Sequence, residues 1–507
     1  MVSLSSAIAY WAKAQPGHLA IVYEDQRISY RVLYERVSEL ARLLRHKGVQ
    51  PRAVVALLMK NSAAFMEISI AIGHVGAVIL PLNYRLSTDE VRYIVHHAGA
   101  QLIFVDEELR ELTEGLDGCV VVDRRSQLDS RALCEGIPDK VPAVAHPNCP
   151  EDLFRLMYTS GTTDRPKGVM HTYSNFYWKN LGHIAVLQLS RNDRILVVGP
   201  LYHVGAFDLP GLAVLQMGGT MVVLRDFDPV RVLETIERER ISCGWLAPVM
   251  LNGTLTCPER ENYDVSSLKW IIGGGEKTPE GRIRQFTSLF KTGRYIDGYG
   301  LTESCSGDTL MEAGREIEKI GSPGRAIPYV HLEIRDDAGN ALPPGVQGEI
   351  CLSGPKVTKG YWRDPEKTAA SFHADGWFKT GDLGHMDSDG FLYLTDRIKD
   401  MIISGGENIA SSEVERVLFQ IPEIADAAAI GLPDERWGER VAAVVALHPG
   451  AELDLDTLQA HCRKLLAGFK VPKQLICLDT LPRNPSGKIL KRVLRQHAAE
   501  QQKQSGN

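Results

Sequence analysis

Two hydrophobic rhythms alternate along this chain. Residues 28–46, ISYRVLYERVSELARLLRH, repeat apolar positions at intervals of three and four, which predicts an amphipathic helix. AVVALLM at 53–59 is a short apolar run and predicts a buried strand. MEISIAIGHVG (66–76), AVILPLN (77–83), TDEVRYIVHHA (88–98), LIFVD (102–106) and CVVVD (119–123) continue the exchange of helix and strand. Short β-branched runs between helical patterns predict a parallel or mixed sheet covered by helices. Leu4, Ile8 and Trp11 add a helical face at the start. Residues 124–150 lose the periodicity, carry four prolines and read as a connection.

A second alternating region spans 153 to about 330. RILVVGP (194–200), GTMVVL (219–224), CGWLAPV (243–249) and KWIIGGGE (269–276) read as apolar strands ending in Gly or Pro. Ligands of open α/β sheets collect at the carboxyl ends of strands, so chemistry is expected at 200–205, Pro248, 273–276 and 299–303. From 331 to 395 short strands and the Asp-Gly pairs at 375–376 and 389–390 predict hairpins and a small β subdomain. Beyond it a compact mixed unit is expected. It has helices near 411–420 and 455–467 and strands near 427–431, 441–447 and 474–478, with a boundary at Lys399. The polar tail QQKQSGN reads as disordered.

At 507 residues the chain is long enough for two or more domains. Its 44% hydrophobic and 24% charged residues are those of a soluble globular enzyme. A formal net charge of −6 and the lack of a Lys/Arg run argue against a nucleic-acid partner. The nine cysteines form no C-x-x-C pair and are odd in number, which predicts reduced thiols and a cytoplasmic protein. The first residues do not read as a signal peptide, and no stretch approaches the apolar length expected of a transmembrane segment. A homodimer is left open.

The chemistry centres on YTSGTTDRPKG, 158–168. Thr159, Ser160, Thr162 and Thr163 crowd hydroxyls around Gly161, and Lys167 supplies a mobile cation, a combination suited to a polyphosphate. The spacing is not that of a Walker loop. Taken alone, such a cluster is more often a surface turn. Four further stretches change that: YGLTE (299–303), GWFKTGDLG (376–384), DRIKDMIISGGEN (396–408) and PRNPSGKILKR (482–492). In this order and spacing, the five resemble the adenylate-forming superfamily, within it the fatty-acyl-, cinnamoyl- and benzoyl-type CoA ligases. The resemblance spans nearly the whole chain.

It implies an α/β fold: a large N-terminal domain, 1–398, of two helix-covered mixed sheets plus a small β subdomain. A small mobile α+β lid, 399–507, would follow, hinged near Lys399. It also implies a two-step reaction. A carboxylate attacks the α-phosphorus of ATP to give acyl-AMP and pyrophosphate, and the thiol of coenzyme A then displaces AMP. Residues 159–168 would cradle the β- and γ-phosphates with Lys167 as point charge. Glu303 would hold Mg²⁺, and Thr302 would donate to a phosphate oxygen. Asp382 and Arg397 would take the ribose side. Tyr299 would stack on adenine, Gly274, Gly275 and Glu276 would line the base, and Asp297 could reach its amino group.

Lys488 would be the catalytic lysine, bridging the acid and the α-phosphate. Gly405, Gly406 and Glu407 would line the pantetheine tunnel after the lid rotates. Trp437 and Phe469 would contact the CoA nucleotide, or be core aromatics. His203 would gate an acyl pocket walled by Val204, Trp245, Val249, Gly273, Gly298 and Cys305. Three departures stand out. Asp164 replaces a glycine and is expected to face solvent. Val471 replaces a basic residue, leaving Lys470 or Lys473 for the CoA phosphate. Ala410-Ser411 replaces Tyr-Pro. The leading function is an acid–CoA ligase for a hydrophobic acid, fatty or aryl. A free adenylation enzyme that loads a carrier protein and a non-catalytic adenylate-binding regulator are the alternatives.

Overall fold

The computed structural model describes residues 4–505 except 139–140, 142, 160–164, 275–279, 398–399, 405–406, 435 and 484–488. The chain divides into two compact units, 1–332 with 352–378, and 333–351 with 379–507.

Two sheets organise the first unit, and the alternation of helix and strand accounts for both. One has six strands, in the order Cys119–Val122, Ala100–Asp106, Val54–Leu58, Val78–Pro81, Leu153–Thr159, Lys167–Thr172. It is parallel except for the last pair, which is antiparallel with Thr159 opposite Lys167. The other has nine strands, and its parallel centre runs Arg294–Tyr299, Trp270–Gly274, Cys243–Trp245, Arg194–Val197, Thr220–Val223, Leu19–Tyr23. Helices cover these sheets through apolar stripes. Helix Tyr30–His46, capped by Ser29, buries Leu33, Val37, Leu40 and Leu44. Helix Ala63–His74 is buried on every face, so it reads as continuously apolar. Leu4 and Ile8 are buried on helix Leu4–Ala14, and Trp11 Nε1 donates to the Gln216 carbonyl at 2.9 Å.

A four-stranded sheet of the second unit, His331–Arg335, Gly348–Ser353, Phe378–Met386, Leu392–Arg397, is the expected β subdomain. Asp389-Gly390 makes its hairpin turn. The strands Ile424–Asp434 and Gly438–Leu447 pair antiparallel, and Gln474–Cys477 joins in parallel. Successive residues of this sheet feed opposite cores. Ala427, Ala429, Val441 and Val445 pack with helices Ser411–Leu418 and Leu455–Cys462, whereas Ala428, Ile430, Ala442 and Val444 pack with Leu494 and Ala498.

One expectation is corrected here. The tail from Gln501 is helical through Ser505, within Lys491–Ser505. Leu494 and Ala498 anchor that helix one turn apart, and the Gln, Lys and Ala that follow are good helix formers, so it propagates into the polar end. The fold class expected from the resemblance is borne out, with both helix-covered sheets, the β subdomain and the α+β C-terminal part present. Among the described residues no helix is long and apolar enough to cross a membrane, and all nine cysteines are free.

Candidate active site

Strand Lys167–Thr172 carries the centre of the site in the first unit. At its start the Lys167 ammonium lies 5.2 Å from the ring centroid of Tyr361. Segment 358–362 runs along the strand: Trp362 N donates to the Gly168 carbonyl at 2.7 Å and Met170 N to that of Gly360 at 3.1 Å. Tyr361 then reaches across with its hydroxyl, which donates to Glu303 Oε1 at 2.9 Å, while Thr358 N donates to the Glu303 carbonyl at 2.6 Å. Lys167 and Glu303, 136 positions apart in sequence, thus meet on one tyrosine.

The turn that presents Glu303 is fixed locally. Thr302–Ser304 is a 3₁₀ turn, after which Cys305, Ser306 and Gly307 all take positive φ (58°, 68° and 63°). The backbone doubles back so that Asp308 N donates to the Tyr299 carbonyl at 2.7 Å and Ser306 N to that of Leu301 at 2.8 Å. A Cβ on Gly300 would collide with the Gly307 backbone, so only glycine lets the loop close. Tyr299 and Asp297 are buried on the strand before it, and Gly274 pairs with Gly298 on the neighbouring strand. A Cβ on Gly274 would come within 2.5 Å of the Gly298 carbonyl oxygen, which explains the glycine there.

Burial pushes the Lys167 ammonium below its ordinary value, the Lys367 charge pushes it further, and Glu303 and Asp364 oppose them. Arg165, Lys167 and Lys367 share an open cavity of about 420 Å³ with Tyr93, His97 and Tyr361. Asp364 and Glu366 line the same cavity, so its three cations face two carboxylates. The donor set fits magnesium. Tyr361 holds one oxygen of Glu303, and a single protein carboxylate suffices for an ion that keeps water and phosphate oxygens as ligands.

Beneath the site lies a buried ionic cluster that the motifs did not foretell. Arg155 donates through Nη2 to Asp208 Oδ2 at 2.6 Å, and Lys179 Nζ sits 3.3 Å from Asp208 Oδ1. Arg155 also donates to His171 Nδ1, at 3.1 Å from Nε and 2.9 Å from Nη2. His171 Nε2 lies 2.6 Å from the Thr302 carbonyl. Nearby, Lys356 pairs with Asp308 at 3.0 Å. Burial raises the Asp208 carboxyl, but Arg155 and Lys179 pull it down further, so it stays ionised. Burial and Arg155 press the His171 imidazole down to about 3. The one available signal was a charge inside an apolar run, Arg155 in LFRLMYT and Lys179 in FYWKNLG, since buried charges require partners.

His203 caps a short helical turn, Val204–Phe207, where its Nδ1 accepts from Gly205 N at 3.0 Å. Its ring stacks on Trp245 with centroids 6.1 Å apart. A Cβ on Gly205 would come within 2.5 Å of the Trp245 ring, and one on Gly199 would collide with it. Val204 and Cys305 are buried, with the thiol of Cys305 pushed up to about 12, whereas Val249 is 56% exposed.

In the second unit Asp382 is buried on strand Phe378–Met386, opposite Arg397. Glu407 is exposed and pairs with Ser404. Trp437 is 49% and Phe469 42% exposed, so neither is a core aromatic. Arg436 covers the Trp437 ring at 4.7 Å and Lys470 the Phe469 ring at 5.6 Å. Val471 is buried in the core, so a basic residue there would have faced inward. Lys470 is engaged by Glu413 at 2.7 Å, while Lys473 is exposed. Ser411, in the expected proline position, donates its N–H to Asp396 Oδ2 at 2.6 Å, a bond proline lacks. Ser160, Gly161, Thr162, Thr163, Asp164, Gly275, Glu276, Lys399, Gly405, Gly406 and Lys488 lie outside the described residues.

Residues 8–362 match the family model described as AMP-binding enzyme, and 413–488 match its C-terminal domain. The chain belongs to the AMP-binding enzyme family. A feruloyl-CoA synthase of an Amycolatopsis species is 38% identical over 485 residues, 96% of each chain. An indoleacetate–CoA ligase of Aromatoleum aromaticum is 36% identical over 507 residues, 98% of each. The structure of o-succinylbenzoate coenzyme A synthetase from Bacillus subtilis, in complex with ATP and magnesium ion, matches with a TM-score of 0.86 and 30% identity. That match covers 96% of this chain and 98% of that one. The reaction class expected of this AMP-binding enzyme, AMP-forming acid–CoA ligation with ATP, Mg²⁺ and CoA, is borne out.

Proposed function

We propose that this acid–CoA ligase activates a hydrophobic aromatic acid and that its half-reactions are run by the residues named above. The observation that carries the adenylation site is Tyr361, which faces Lys167 with its ring and holds Glu303 with its hydroxyl. Lys167 neutralises charge on the departing diphosphate. Thr302 donates to a phosphate oxygen, Thr159 to Thr163 add donors, and Glu303 holds Mg²⁺, which supplies positive charge to the phosphates when bound. Tyr299, Asp297 and Gly274 to Glu276 take adenine, and Asp382 with Arg397 takes ribose. Lys488 neutralises the acid carboxylate and the α-phosphate as they approach.

Trp245, stacked on His203 and seated on Gly199 and Gly205, favours an aromatic acid over a long alkyl chain, as do the feruloyl and indoleacetate relatives. The mobile domain begins at Lys399. It brings Gly405, Gly406 and Glu407 to the pantetheine, and the exposed Trp437 and Phe469 to the CoA nucleotide. A cytoplasmic location and a homodimer belong to the same proposal. AMP release, measured with and without CoA over a panel of cinnamates, benzoates and fatty acids, tests the reading. Preference for fatty acids refutes the acid assignment, and AMP release that needs a carrier protein in place of CoA refutes the acceptor.

A further inference from the structure

We propose that His171 is a positioning residue for adenylation: as a neutral imidazole it ties the Thr302–Glu303 turn to the strand that begins with Lys167. The inference rests on the reading of Lys167 and Glu303 as phosphate- and metal-facing groups.

Both ring nitrogens of His171 are committed. Arginine has no acceptor, so Nδ1 must be the unprotonated nitrogen that receives Arg155 at 2.9 Å. Nε2 then carries the ring proton and donates it to the Thr302 carbonyl at 2.6 Å. Arg155 is held in turn by Asp208, and Asp208 by Lys179, all four groups being fully buried. The chain of contacts therefore has one direction: a fixed ion pair sets the tautomer, the tautomer sets the donor, and the donor pins the carbonyl of Thr302.

Position along the strand gives this bond its consequence. Lys167 and His171 are four residues apart on strand Lys167–Thr172 and share a face by the two-residue alternation. That face meets the Glu303 region twice, once through Tyr361 beside Lys167 and once through Thr302 beside His171. Residues 302 and 303 are thus held at three points: the Thr302 carbonyl by His171, the Glu303 carbonyl by Thr358 N, and the Glu303 carboxylate by Tyr361. The His171 contact joins the turn to the Arg155–Asp208–Lys179 cluster, and buried Asp308, paired with Lys356, takes the Ser304 hydroxyl. A burial this complete denies His171 direct proton exchange with the reacting groups, which separates a positioning role from acid–base catalysis.

Two full-length variants separate the contacts. His171→Asn keeps an acceptor near Arg155 but is too short to reach the Thr302 carbonyl. His171→Gln places an amide N–H where Nε2–H stood. With acid-dependent ATP–pyrophosphate exchange as readout, His171→Asn is expected to lower kcat and raise the Mg²⁺ concentration for half-maximal rate by about tenfold or more. The rate of CoA transfer from supplied acyl-AMP should stay unchanged. His171→Gln should restore Mg²⁺ half-saturation to within about threefold of the parent, with a pH–rate profile of unchanged shape. Equal loss in the two variants, or parent-like Mg²⁺ dependence in a folded His171→Asn, overturns the proposal. If the Asn variant does not fold, the Gln variant decides alone, and a large Mg²⁺ shift in it is the refuting result. Glu303→Gln is the control for the underlying reading. Unaltered Mg²⁺ dependence there overturns the Glu303 assignment itself, and the proposal with it.

Discussion

The Lys167 ammonium lies 5.2 Å from the ring centroid of Tyr361, the residue whose hydroxyl also holds Glu303. A cation and a carboxylate are kept close by this ring without pairing directly, as their proposed roles on a metal-bound polyphosphate require.

Tyr361→Phe keeps the ring and removes the hydroxyl. A hydrogen bond to a charged group contributes about 1.5–3 kcal/mol, so the KM for MgATP should rise about tenfold or more while the KM for the acid stays put. Steady-state kinetics varying each substrate in turn will check this, and equal effects on the two KM values would remove Tyr361 from the nucleotide site.

Lys167 should lose its charge at lower pH than an ordinary lysine, whose value is 10.5. The alkaline limb of kcat/KM for ATP is therefore expected below that value. Lys367→Met removes the repelling charge and should move the limb upward. A limb that stays in place shows that Lys367 does not act on Lys167.

The folded-state pKa of His171, about 3, lies below its ordinary 6.5, and that of buried His183 is depressed as well. The unfolded chain binds protons that the folded chain refuses. The contribution of His171 is thus full above pH 6.5 and falls as pH drops from there toward 3, by about 1.4 kcal/mol per pH unit, and His183 acts in the same direction. Urea midpoints between pH 7.5 and 5 should decline, and His171→Gln should flatten the decline by one proton's share. Identical slopes would mean that His171 titrates normally.

Gly205→Ala drives a methyl group to within 2.5 Å of the Trp245 ring. Overpacking of this kind costs about 1–3 kcal/mol. It should lower the melting temperature and displace Trp245, with a larger loss of kcat/KM for aromatic acids than for ATP. Trp245→Ala is expected to shift preference toward longer alkyl acids. An unchanged acid panel in both variants would take Trp245 out of the acyl pocket.

Lys488→Ala should abolish acyl-AMP formation yet largely spare CoA transfer from supplied acyl-AMP. Separate assays of the two half-reactions check it, and equal losses in both exclude the assigned role.

The sequence by itself determined the alternation of helix and strand and the five motifs, because these are local, and the resemblance those motifs carry implied the reaction class. Periodicity follows from which face of each element is buried, and Gly300 follows from the closure of its own loop on Gly307. It also left signs it could not explain, such as Arg155 in the middle of an apolar strand. Who meets whom was decided only by tertiary structure. His171 finds Thr302 across 131 positions, Arg155 finds Asp208 across 53, and Glu303 finds Tyr361 across 58. Residue type says that a buried charge or a lone carboxylate needs a partner, but the register of the strands and the return path of the loops select it, and neither is encoded in any one stretch of chain.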